Sequence, residues 1–446
     1  MYNTADTIVA LATLPGKSAL NIVRVSGSNS TGIYKKLTKT KLLPKPNMCL
    51  PKSIYGLKGD KPLDHGMIIY YKAPKSFTGE NSIEIIVHGG VIIVNKLIES
   101  IVNMGGRIAS PGEFSYRAYL NNKIDLVQAE AIASIVSAQN SIDSFYYLSA
   151  IKGNLSKVIS EFNKKIDNII TVGEHELNFS ENEITQTKSQ EYIQSIEKIN
   201  RDIGRLIGSC YTVESDLSTV RVAIVGKPNA GKSSLFNALV GKSRSIVTSQ
   251  KGTTRDTIEA DIYMGDILIK LIDTAGLRDS KNKVEKIGIA RSYKEIDTAQ
   301  IIIIIDDQNP KKIHGRLNIK NQTTLLVNNK ADLKTKNLKG LTGIPISCKK
   351  KTGINELSTK LLTLCKELEN NFLASFSYLI NQRQITLLNN ISSGLKQGVV
   401  DYNKTQDMTI LLSSLYSVQD NFSTLIRPND KNELLNNIFK GFCVGK

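Results

Sequence analysis

Residues 226 to 233 read G-K-P-N-A-G-K-S, a pattern that could bind phosphate. It satisfies G-x-x-x-x-G-K-[ST] and lies where an apolar run gives way to a helical pattern, which is the context this loop requires. Glycines allow backbone N–H groups to surround phosphate oxygens, Lys232 supplies a cation for the β and γ phosphates, and the Ser233 hydroxyl can ligate Mg²⁺. The predicted phosphate contacts of this P-loop are Asn229, Ala230, Gly231, Lys232, Ser233 and Ser234.

Two further motifs indicate a magnesium and γ-phosphate site. Asp-Thr-Ala-Gly at 273–276 follows a second apolar run, so that its carboxylate can hold the Mg²⁺ shell and the Gly276 N–H can contact the γ-phosphate. Between this motif and the P-loop, Gly-Thr-Thr-Arg-Asp at 252–256 offers Thr254 as a second hydroxyl ligand. This motif order is typical of GTPases. The predicted contacts are Asp273, Thr274, Ala275 and Gly276, with Ser233 and Thr254 as Mg²⁺ ligands.

The base is predicted to be guanine. Asn-Lys-Ala-Asp at 329–332 follows another apolar run, and its carboxylate can accept from both donors on the guanine edge, a pattern that adenine lacks. ATP should therefore be discriminated against. Ser-Cys-Lys at 347–349 is predicted to form the last base-contacting loop, where cysteine replaces the more familiar alanine and the backbone does the binding. The predicted base contacts are Asn329, Lys330, Asp332, Ser347, Cys348 and Lys349.

The residue that orients the attacking water is not the usual one. Leu277 follows D-T-A-G, at the position where Ras-like enzymes carry a water-orienting Gln, and leucine cannot do this. Arg278, Asp279 and Glu285 are polar candidates on a loop that we expect to move. The competing interpretation is that these charges only solvate a loop, which is the commoner fate of an exposed carboxylate.

The elements that must position these motifs differ along the chain in charge and in pattern. The 446 residues carry a net charge of +17 and are 41% hydrophobic, which favours several globular domains and excludes a disordered chain. Residues 1–125 carry +8, residues 126–219 carry −5, residues 220–370 carry +12 and residues 371–446 carry +2. Positive charge is therefore concentrated in two separate regions.

Hydrophobic periodicity predicts three kinds of structure. Strand patterns at 7–12, 20–25, 67–71 and 83–87, with a helix at 91–104, indicate a mixed α/β region. Helical spacing runs from 125 to about 212 and resumes from 372 to 442, around a block whose alternating pattern favours a parallel sheet covered by helices. The predicted domains are an α+β domain at 1–124, a discontinuous helical domain at 125–218 and 371–446, and an inserted P-loop domain at 219–370.

Other classes of site and location have no support in the sequence. The five cysteines and four histidines show neither C-x-x-C nor H-E-x-x-H spacing, so that a zinc or disulfide framework is not expected. Apolar runs are far shorter than the ~18 residues that cross a bilayer, and no Arg-rich transit pattern is present. We therefore expect a cytoplasmic protein with no membrane partner.

These motifs together resemble the MnmE (TrmE) family of tRNA modification GTPases over nearly the whole chain. The resemblance rests on DTIVALAT at 6–13, LNNKIDL at 120–126, the GTPase motifs with VEKIGIARS at 284–292, and the ending FCVGK at 442–446. It implies an N-terminal folate-binding domain that dimerises, a helical domain made of two chain segments, and a Ras-like GTPase domain inserted between them. The segmentation by charge and periodicity agrees with that architecture.

The resemblance also implies how hydrolysis is activated. In the family, two GTPase domains meet face to face, and K⁺ takes the place of an external arginine finger. Glu285 matches the catalytic glutamate, and residues 248–253 match the potassium-binding loop. From the residues alone, Asn229 could equally cap a turn. The implied K⁺ ligands are Asn229, Thr248, Gln250 and Thr253, of which Thr248 and Thr253 also contact GTP.

A second ligand is implied for the N-terminal region. The family binds 5-formyl- or methylene-tetrahydrofolate as a one-carbon donor, and the matched contacts are Arg24, Glu84, Lys123 and Lys446. A carboxylate suits the donor edge of a pterin, and a cation suits the glutamyl tail. Without the resemblance, Arg24 would be an outward residue on an alternating strand and Glu84 a solvated charge. Cys443 is either a reactive thiol or part of the packed tail.

The implied partners are a second copy of the chain, tRNA, and a FAD-dependent flavoprotein of the MnmG/GidA type in a heterotetramer or larger assembly. Together they would place a carboxymethylaminomethyl or aminomethyl group at C5 of the wobble uridine. The two basic regions fit attraction to tRNA phosphates. Two alternatives stay open here: a ribosome-assembly GTPase that acts only as a switch, and a folate-dependent aminomethyltransferase with a regulatory insert.

Overall fold

The structure is a computed structural model of the chain, and its described part forms two compact units. One comprises Met1–Ser137, Tyr147–Ile207 and Arg383–Lys446, and the other comprises Ala138–Tyr146 and Gly208–Gln382. The described residues are 4–57, 60–178, 189–212, 219–242, 244–245, 258–274, 295–315, 317, 319, 321–333, 343–428, 432–442 and 445.

The N-terminal region forms a six-stranded sheet in the order β3-β4-β5-β2-β1-β6, with two helices on one face. Successive side chains of a strand point to opposite faces, so that Val23 and Val25 join the core under the helices while Arg24 lies on the outward face. β1 pairs parallel with β6, and the other pairs are antiparallel. The elements are β1 (Thr7–Leu11), β2 (Leu20–Ser26), α1 (Ser30–Thr38), β3 (Cys49–Tyr55), β4 (Pro62–Tyr71), β5 (Ser82–His88), α2 (Val91–Asn103) and β6 (Gly106–Ile108).

Two strands of this sheet, β3 and the three-residue β6, were not predicted. Cys49–Tyr55 forms β3 at the sheet edge, where Pro51 is tolerated because an edge strand leaves one row of N–H groups unpaired with a neighbour. Its half-exposed residues give no clear apolar alternation. β4 also begins at Pro62, five residues before the predicted start at 67.

Helices from two chain segments form the helical region, most of which belongs to this unit. Asp125 caps α4 in a reciprocal capping box with Gln128, which fixes where the helical region begins. Glu130 of α4 accepts hydrogen bonds from Arg383 and Gln384, which joins the first segment to the second. The helices are α3 (Glu113–Leu120), α4 (Leu126–Ser134), α5 (Ser141–Ile151), α6 (Asn154–Asn178) and α7 (Ser189–Gly208), then Gln382–Thr405, Met408–Ile426 and Asn432–Lys440 after the inserted block.

The inserted block contains a seven-stranded sheet in the order β14-β13-β12-β8-β11-β10-β9. Its central strand β8 pairs in parallel with β11 and β12, as predicted for an α/β fold. The continuous apolar sequence of β12 is buried throughout, because helices cover both faces. The elements are β8 (Val220–Gly226), α8 (Lys232–Val240), β9 (Arg244–Ser245), β10 (Ile258–Met264), β11 (Ile267–Asp273), β12 (Ile301–Asp306), α9 (Pro310–His314), β13 (Thr323–Asn328), β14 (Ile344–Pro345) and α10 (Ile354–Ser375).

The sheet departs from the prediction at one edge. β10 pairs antiparallel with both β9 and β11, whereas the alternating pattern predicted a parallel sheet. β10 gave no apolar run to predict from, because only Ile262 of its residues is fully buried. A hairpin with β11 joins it to the sheet, and such a hairpin requires no crossover helix.

A small sheet replaces predicted helix at two places. Cys210–Thr212 (β7) pairs in parallel with Tyr378–Ile380 (β15), so that the helical predictions for these residues are wrong. The ring of Tyr211 packs edge-on against Phe372 and Tyr146, with centroids 4.9 and 5.2 Å apart. This packing of aromatic side chains overrides helix periodicity. Within the described residues, no helix is long and apolar enough to span a membrane.

Candidate functional site

The P-loop begins where the central strand of the inserted sheet ends. Asn229 and Gly231 both have left-handed backbone conformations, with φ of 61° and 99°. A Cβ at Gly231 would lie 2.1 Å from Nδ2 of Asn329, so that this position has no space for a side chain. Gly231 is also the residue before α8, whose first N–H groups lack partners within the helix and can bind an anion.

Lys232 lies within this loop and is 8% exposed. Its Nζ donates to the carbonyls of Gly226 and Lys227, at 3.2 and 3.1 Å. Burial lowers the pKa of the ammonium group, although the nearby Asp273 carboxylate opposes that shift. A phosphate placed in the loop would stabilise the charged form, so that the predicted phosphate role of Lys232 fits its position.

Ser233 and Asp273 form a pair of oxygen donors beside the loop. The Ser233 hydroxyl donates to Oδ2 of Asp273 at 2.7 Å. The other oxygen, Oδ1, is buried and has no hydrogen-bond partner among the described residues. Burial raises the pKa of this carboxyl group, which a divalent cation would reverse. An unpartnered carboxylate oxygen next to a hydroxyl matches the oxygen ligands of Mg²⁺, and the residues present therefore fit that ion.

Asn329 joins the phosphate side of the site to the base side. Its Nδ2 donates to the Ala230 carbonyl at 2.9 Å, and its Oδ1 accepts from the Cys348 N–H at 3.3 Å. Thr274 makes a similar cross-link, donating from Oγ1 to the Ile224 carbonyl at 2.7 Å. Asn329 thus links the P-loop to the loop at Cys348, and Thr274 links the end of β11 to β8.

The predicted guanine-binding carboxylate is held in its charged form. A hydrogen bond from Ser347 lowers the pKa of Asp332, with smaller contributions from Lys350 and Lys349. Cys348 is half-buried, and burial raises its thiol pKa to about 11, so that it is not a thiolate at neutral pH. The two base-contacting motifs together thus offer backbone groups and the Asp332 carboxylate, which can accept from both donors of guanine.

Two aspartates beside this site were missed from the sequence. Asp307 accepts from Lys330 Nζ at 2.9 Å, and that bond lowers the carboxyl pKa. Asp306 lies 3.5 Å from Lys227 Nζ at the end of β12. Lys330 and Lys227 both belong to motifs that were recognised in the sequence. The signal that could have indicated the aspartates was an Asp-Asp pair at the end of an apolar run, which forms the strand next to the one that leads into the P-loop.

Part of the predicted site lies outside the described residues. Asn229, the predicted K⁺ ligand that is described, is exposed, and its side chain makes no hydrogen bond to any described residue. An amide oxygen at the tip of the P-loop is therefore available to a cation. The predicted site residues outside the described chain are Thr248, Gln250, Thr253, Thr254, Ala275, Gly276, Leu277, Arg278, Asp279, Glu285, Cys443 and Lys446.

The predicted folate contacts Arg24 and Glu84 are brought together across β2 and β5. Arg24 Nε donates to Glu84 Oε1 at 2.9 Å, and Tyr71 donates to Glu84 Oε2 at 3.1 Å. Burial, with the Glu84 charge, raises the pKa of Tyr71 to about 12. The guanidinium also lies 5.8 Å from the ring centroids of Phe77 and Phe114. Tyr71 and the two aromatic rings were not predicted, since no local spacing marks them.

The chain terminus reaches this cluster. Arg24 Nη1 donates to the carbonyl of Gly445 at 3.0 Å, next to the predicted contact Lys446. Lys123 donates to the Pro74 carbonyl at 3.0 Å, on the loop that carries Phe77. The outward face near β2 therefore presents a cation, a carboxylate and aromatic rings, a set that suits a ligand with a flat polar ring and an anionic tail.

A buried ion network supports that loop and was also missed. Arg117 is fully buried and bonds to Asp6, Glu80 and Glu113, at 2.7, 3.2 and 3.1 Å. Arg107 joins it by pairing with Asp6 and Glu113. The partners are separated in sequence by up to about a hundred residues, so that no short motif could have indicated them.

Comparison with known proteins gives full-length matches. Residues 7–123 match the family described as GTP-binding protein TrmE N-terminus, and residues 126–443 match the MnmE helical domain. A protein named tRNA modification GTPase MnmE from Aquifex aeolicus is 36% identical over 450 residues, covering 99% of this chain and 100% of its own. Proteins of that name from Aliarcobacter butzleri and Francisella tularensis subsp. holarctica are 33% identical, with 99% of each chain covered, and 35% identical, with 100% of each covered.

Proposed function

The chain belongs to the MnmE family of tRNA modification GTPases, and we propose that its hydrolysis of GTP is stimulated by K⁺ and coupled to chemistry at C5 of the wobble uridine. A FAD-dependent flavoprotein would act with it to install a carboxymethylaminomethyl or aminomethyl group. The observation that carries the GTPase part is the Ser233–Asp273 pair, in which the buried Oδ1 of Asp273 has no hydrogen-bond partner among the described residues and the carboxylate acts on the charge of the buried Lys232.

The described site residues would divide the tasks of this mechanism among them. Lys232 holds the phosphates, and the backbone at Gly231 leaves room for them. Ser233 and Asp273 would hold Mg²⁺, which would neutralise charge on the β and γ phosphates. Asp332, kept ionised by Ser347, selects guanine. Asn329 fixes the distance between the phosphate and base loops.

The potassium proposal rests on the exposed side chain of Asn229. Carbonyl-type oxygens are the ligands that K⁺ prefers, and this amide has no competing partner in the described chain. A cation there would stabilise charge developing on the leaving phosphate, as an arginine finger does. Thr248, Gln250 and Thr253 would complete its coordination, Thr254 would complete that of Mg²⁺, and Glu285 would orient water.

We also propose that the outward face at Arg24 and Glu84 binds a tetrahydrofolate that supplies the one-carbon unit. Glu84 retains lone pairs beyond the bonds from Arg24 and Tyr71, and these could accept from a pterin edge. Lys123 and the terminal Lys446 would bind the anionic tail. The role of Cys443 stays a prediction.

The homodimer proposal is supported by the same sheet face. Leu20 is 57% exposed and Met67 is 45% exposed, although both lie on a sheet where inward residues are fully buried. They line a cavity of about 430 Å³ together with His65 and His88. An apolar face of this kind suits a second copy of the N-terminal domain. The same proposal includes a heterotetramer with the flavoprotein, a cytoplasmic location and the domain bounds 1–124, 125–218, 219–370 and 371–446.

Analysis of tRNA nucleosides tests the proposed function. A strain without this gene should lack the modified wobble uridine, and the intact chain should restore it. Arg24→Ala should keep GTP turnover but fail to restore the nucleoside and fail to retain folate, whereas Lys232→Ala should lose both activities. Full modification in the deletion strain would overturn the assignment and would favour a GTPase without transfer chemistry.

A further inference from the structure

Positive charge in the N-terminal domain is concentrated in one uninterrupted stretch. Residues 7–59 contain nine Lys and Arg and no Asp or Glu. Five of these cations, at positions 35, 36, 39, 41 and 45, fall within eleven residues. A stretch of this length without a single carboxylate is unusual for a chain that is 22% charged, and the structure shows where it places the charge.

These lysines lie on the outside of α1 and on the loop that follows it. Ile33, Tyr34 and Leu37 of α1 are buried in the sheet core, so that Lys35 and Lys36 are on the opposite, exposed side. The helix ends at Thr38, and the capping residue Lys39 that follows has a left-handed backbone with φ of 50°.

The loop that carries Lys41 and Lys45 is anchored at both ends. Thr40 N–H donates to the Lys35 carbonyl at 3.2 Å, and Asn47 N–H donates to the Tyr70 carbonyl at 2.8 Å. Both lysines between these anchors are exposed. We name Lys35, Lys36, Lys41 and Lys45 the lysine patch.

Six of the seven carboxylates between residues 1 and 124 pair with a cation outside the lysine patch, and the seventh, the exposed Glu99 on α2, forms no ion pair with a described patch lysine. Asp6, Glu80 and Glu113 bind Arg117, Glu84 binds Arg24, and Asp64 binds His88. Lys39 is adjacent to the patch but pairs with Asp60 at 3.2 Å. None of the four patch lysines forms an ion pair with a carboxylate in the described chain. Their mutual repulsion is therefore not offset within the protein, and a polyanion would relieve it.

The surroundings of the patch favour phosphates over bases. Between residues 28 and 57 the aromatic residues are Tyr34, which is buried, and Tyr55, whose ring lies 4.4 Å from the Lys39 ammonium. No ring in this segment is therefore free to stack on a base. Lysines without aromatic neighbours give sequence-independent backbone contacts, which position a nucleic acid and do not read it.

We propose that the lysine patch binds phosphates of the tRNA backbone and so positions the substrate on the N-terminal domain. This inference rests on the proposed function for the identity of the RNA. It adds a surface on α1 and its following loop, which shares no residue with the Arg24–Glu84 face or with the nucleotide site. An acidic protein surface is the competing occupant, and the test below distinguishes the two.

The test compares two triple variants of the full chain with equal loss of charge. Lys36→Gln/Lys41→Gln/Lys45→Gln removes three patch lysines, and Lys152→Gln/Lys157→Gln/Lys164→Gln removes three exposed lysines of the helical region. Binding of unmodified tRNA is measured by fluorescence anisotropy over a salt series. The patch variant should lose at least about tenfold in affinity at 0.1 M salt, and its log–log salt slope should be shallower by about 2 to 3, at roughly 0.7–0.9 per phosphate contact. The control should stay within about twofold of the unmutated chain.

Equal affinities and slopes for the two variants would overturn the proposal, as would the absence of tRNA binding by the unmutated chain. Loss of flavoprotein binding by the patch variant with tRNA binding intact would also overturn it and indicate the acidic-protein occupant. GTP turnover in K⁺ is measured in parallel and should be the same for all three proteins. If the proposed GTPase function is wrong, GTP turnover by the unmutated chain should not respond to K⁺. That result does not depend on the patch lysines.

Discussion

Asn329 contacts both the P-loop carbonyl of Ala230 and the backbone N–H of Cys348. Asn329 is 4% exposed, so that water could not fully replace the hydrogen bonds that it makes to these two groups. We propose that Asn329 acts on nucleotide binding by fixing these two loops and not by contact alone. The residue scale is therefore where the site is most sensitive to small changes in side-chain chemistry.

Asn329→Ala should weaken GTP binding by about ten- to a hundredfold, because leaving buried polar groups unpaired costs ~1–3 kcal/mol. Titration with a fluorescent GTP analogue measures this change. Asn321→Ala, at an exposed position of the same unit, is the matched control and should bind as the unmutated chain does. Unchanged affinity in Asn329→Ala would show that the bridge is not needed.

Asp332→Asn tests the base assignment. In the amide, an NH₂ donor replaces one of the two carboxylate oxygens that accepted, so that one donor of guanine is left unmatched and affinity for GTP should fall by about a hundredfold, at ~1–3 kcal/mol for an unpaired polar group. Xanthosine triphosphate presents a carbonyl in place of the guanine amino group, and the variant should bind it better than GTP. Competition between the two nucleotides provides the measurement, and an unaltered preference for GTP would remove Asp332 from the base site.

The carboxylate that Lys330 contacts provides a milder test. Asp307→Ala should weaken GTP binding about two- to fivefold, because a half-exposed ion pair contributes ~0.5–1 kcal/mol. Asp266→Ala, in the turn between β10 and β11, changes the charge equally without touching the site. A larger effect in the control than in Asp307→Ala would contradict the positioning role of this pair.

At the scale of elements, the phosphate and base motifs lie at the ends of parallel strands of one sheet. β8 leads into the P-loop, β11 ends at Asp273, and β13 leads into Asn329. Parallel order brings these carboxyl ends to one edge of the sheet. The chemistry therefore depends on strand ends and tight turns, where backbone conformation leaves little tolerance.

Gly231→Ala should abolish nucleotide binding while the sheet stays folded. The new Cβ would meet Asn329 at 2.1 Å, and the position has φ of 99°, which L side chains rarely adopt. Gly315→Ala at the end of α9 has its nearest neighbour at 3.9 Å and φ of −67°, so that it should bind nucleotide normally. Circular dichroism and nucleotide titration of both variants separate loss of binding from loss of fold. Normal GTP affinity in Gly231→Ala would contradict the steric argument.

The sequence could predict the elements whose signals are local. Local spacing indicated strands that lead into the P-loop and into Asp273 and a helix from about Asp125, and the structure places β8, β11 and α4 there. The Arg24–Glu84 pair joins residues sixty positions apart, and the network at Arg117 reaches over a hundred. β10 and the β7–β15 pair form because a neighbouring strand is available, which periodicity within one segment cannot reveal.

At the scale of the whole molecule, buried charge stabilises the N-terminal region. Arg117→Met would leave Glu113, which is fully buried, without one of its two guanidinium partners. Removing one side of a buried ion pair costs about 3–5 kcal/mol. Urea unfolding, with hydrogen exchange resolved to N-terminal peptides, should show that loss in this region. The inserted unit should keep its protection, and unchanged N-terminal protection would show that the network is not structural.

The same network should make stability depend on pH in the acid range. The hydrogen bond from Arg107 lowers the pKa of Asp6 below its ordinary value near 3.8, despite opposing desolvation. A carboxyl group with a lowered folded pKa stabilises the fold above its unfolded pKa, and this contribution is lost as pH falls through the folded pKa. The free energy of unfolding should therefore decrease as the pH is lowered below about 4, and Arg107→Met should weaken this pH dependence. Parallel curves of unfolding free energy against pH for the two proteins would exclude the Asp6–Arg107 pair as the source of the pH dependence.

Steady-state GTP turnover by the purified chain in KCl and in NaCl, at equal ionic strength and with excess Mg²⁺, tests the central claim. We expect turnover in KCl to exceed that in NaCl by about tenfold or more, because the cation replaces a group of arginine-finger type. Asn229→Ala should reduce the KCl rate to the NaCl rate while keeping GTP affinity. Equal turnover of the unmutated chain in the two salts would contradict a potassium-stimulated GTPase.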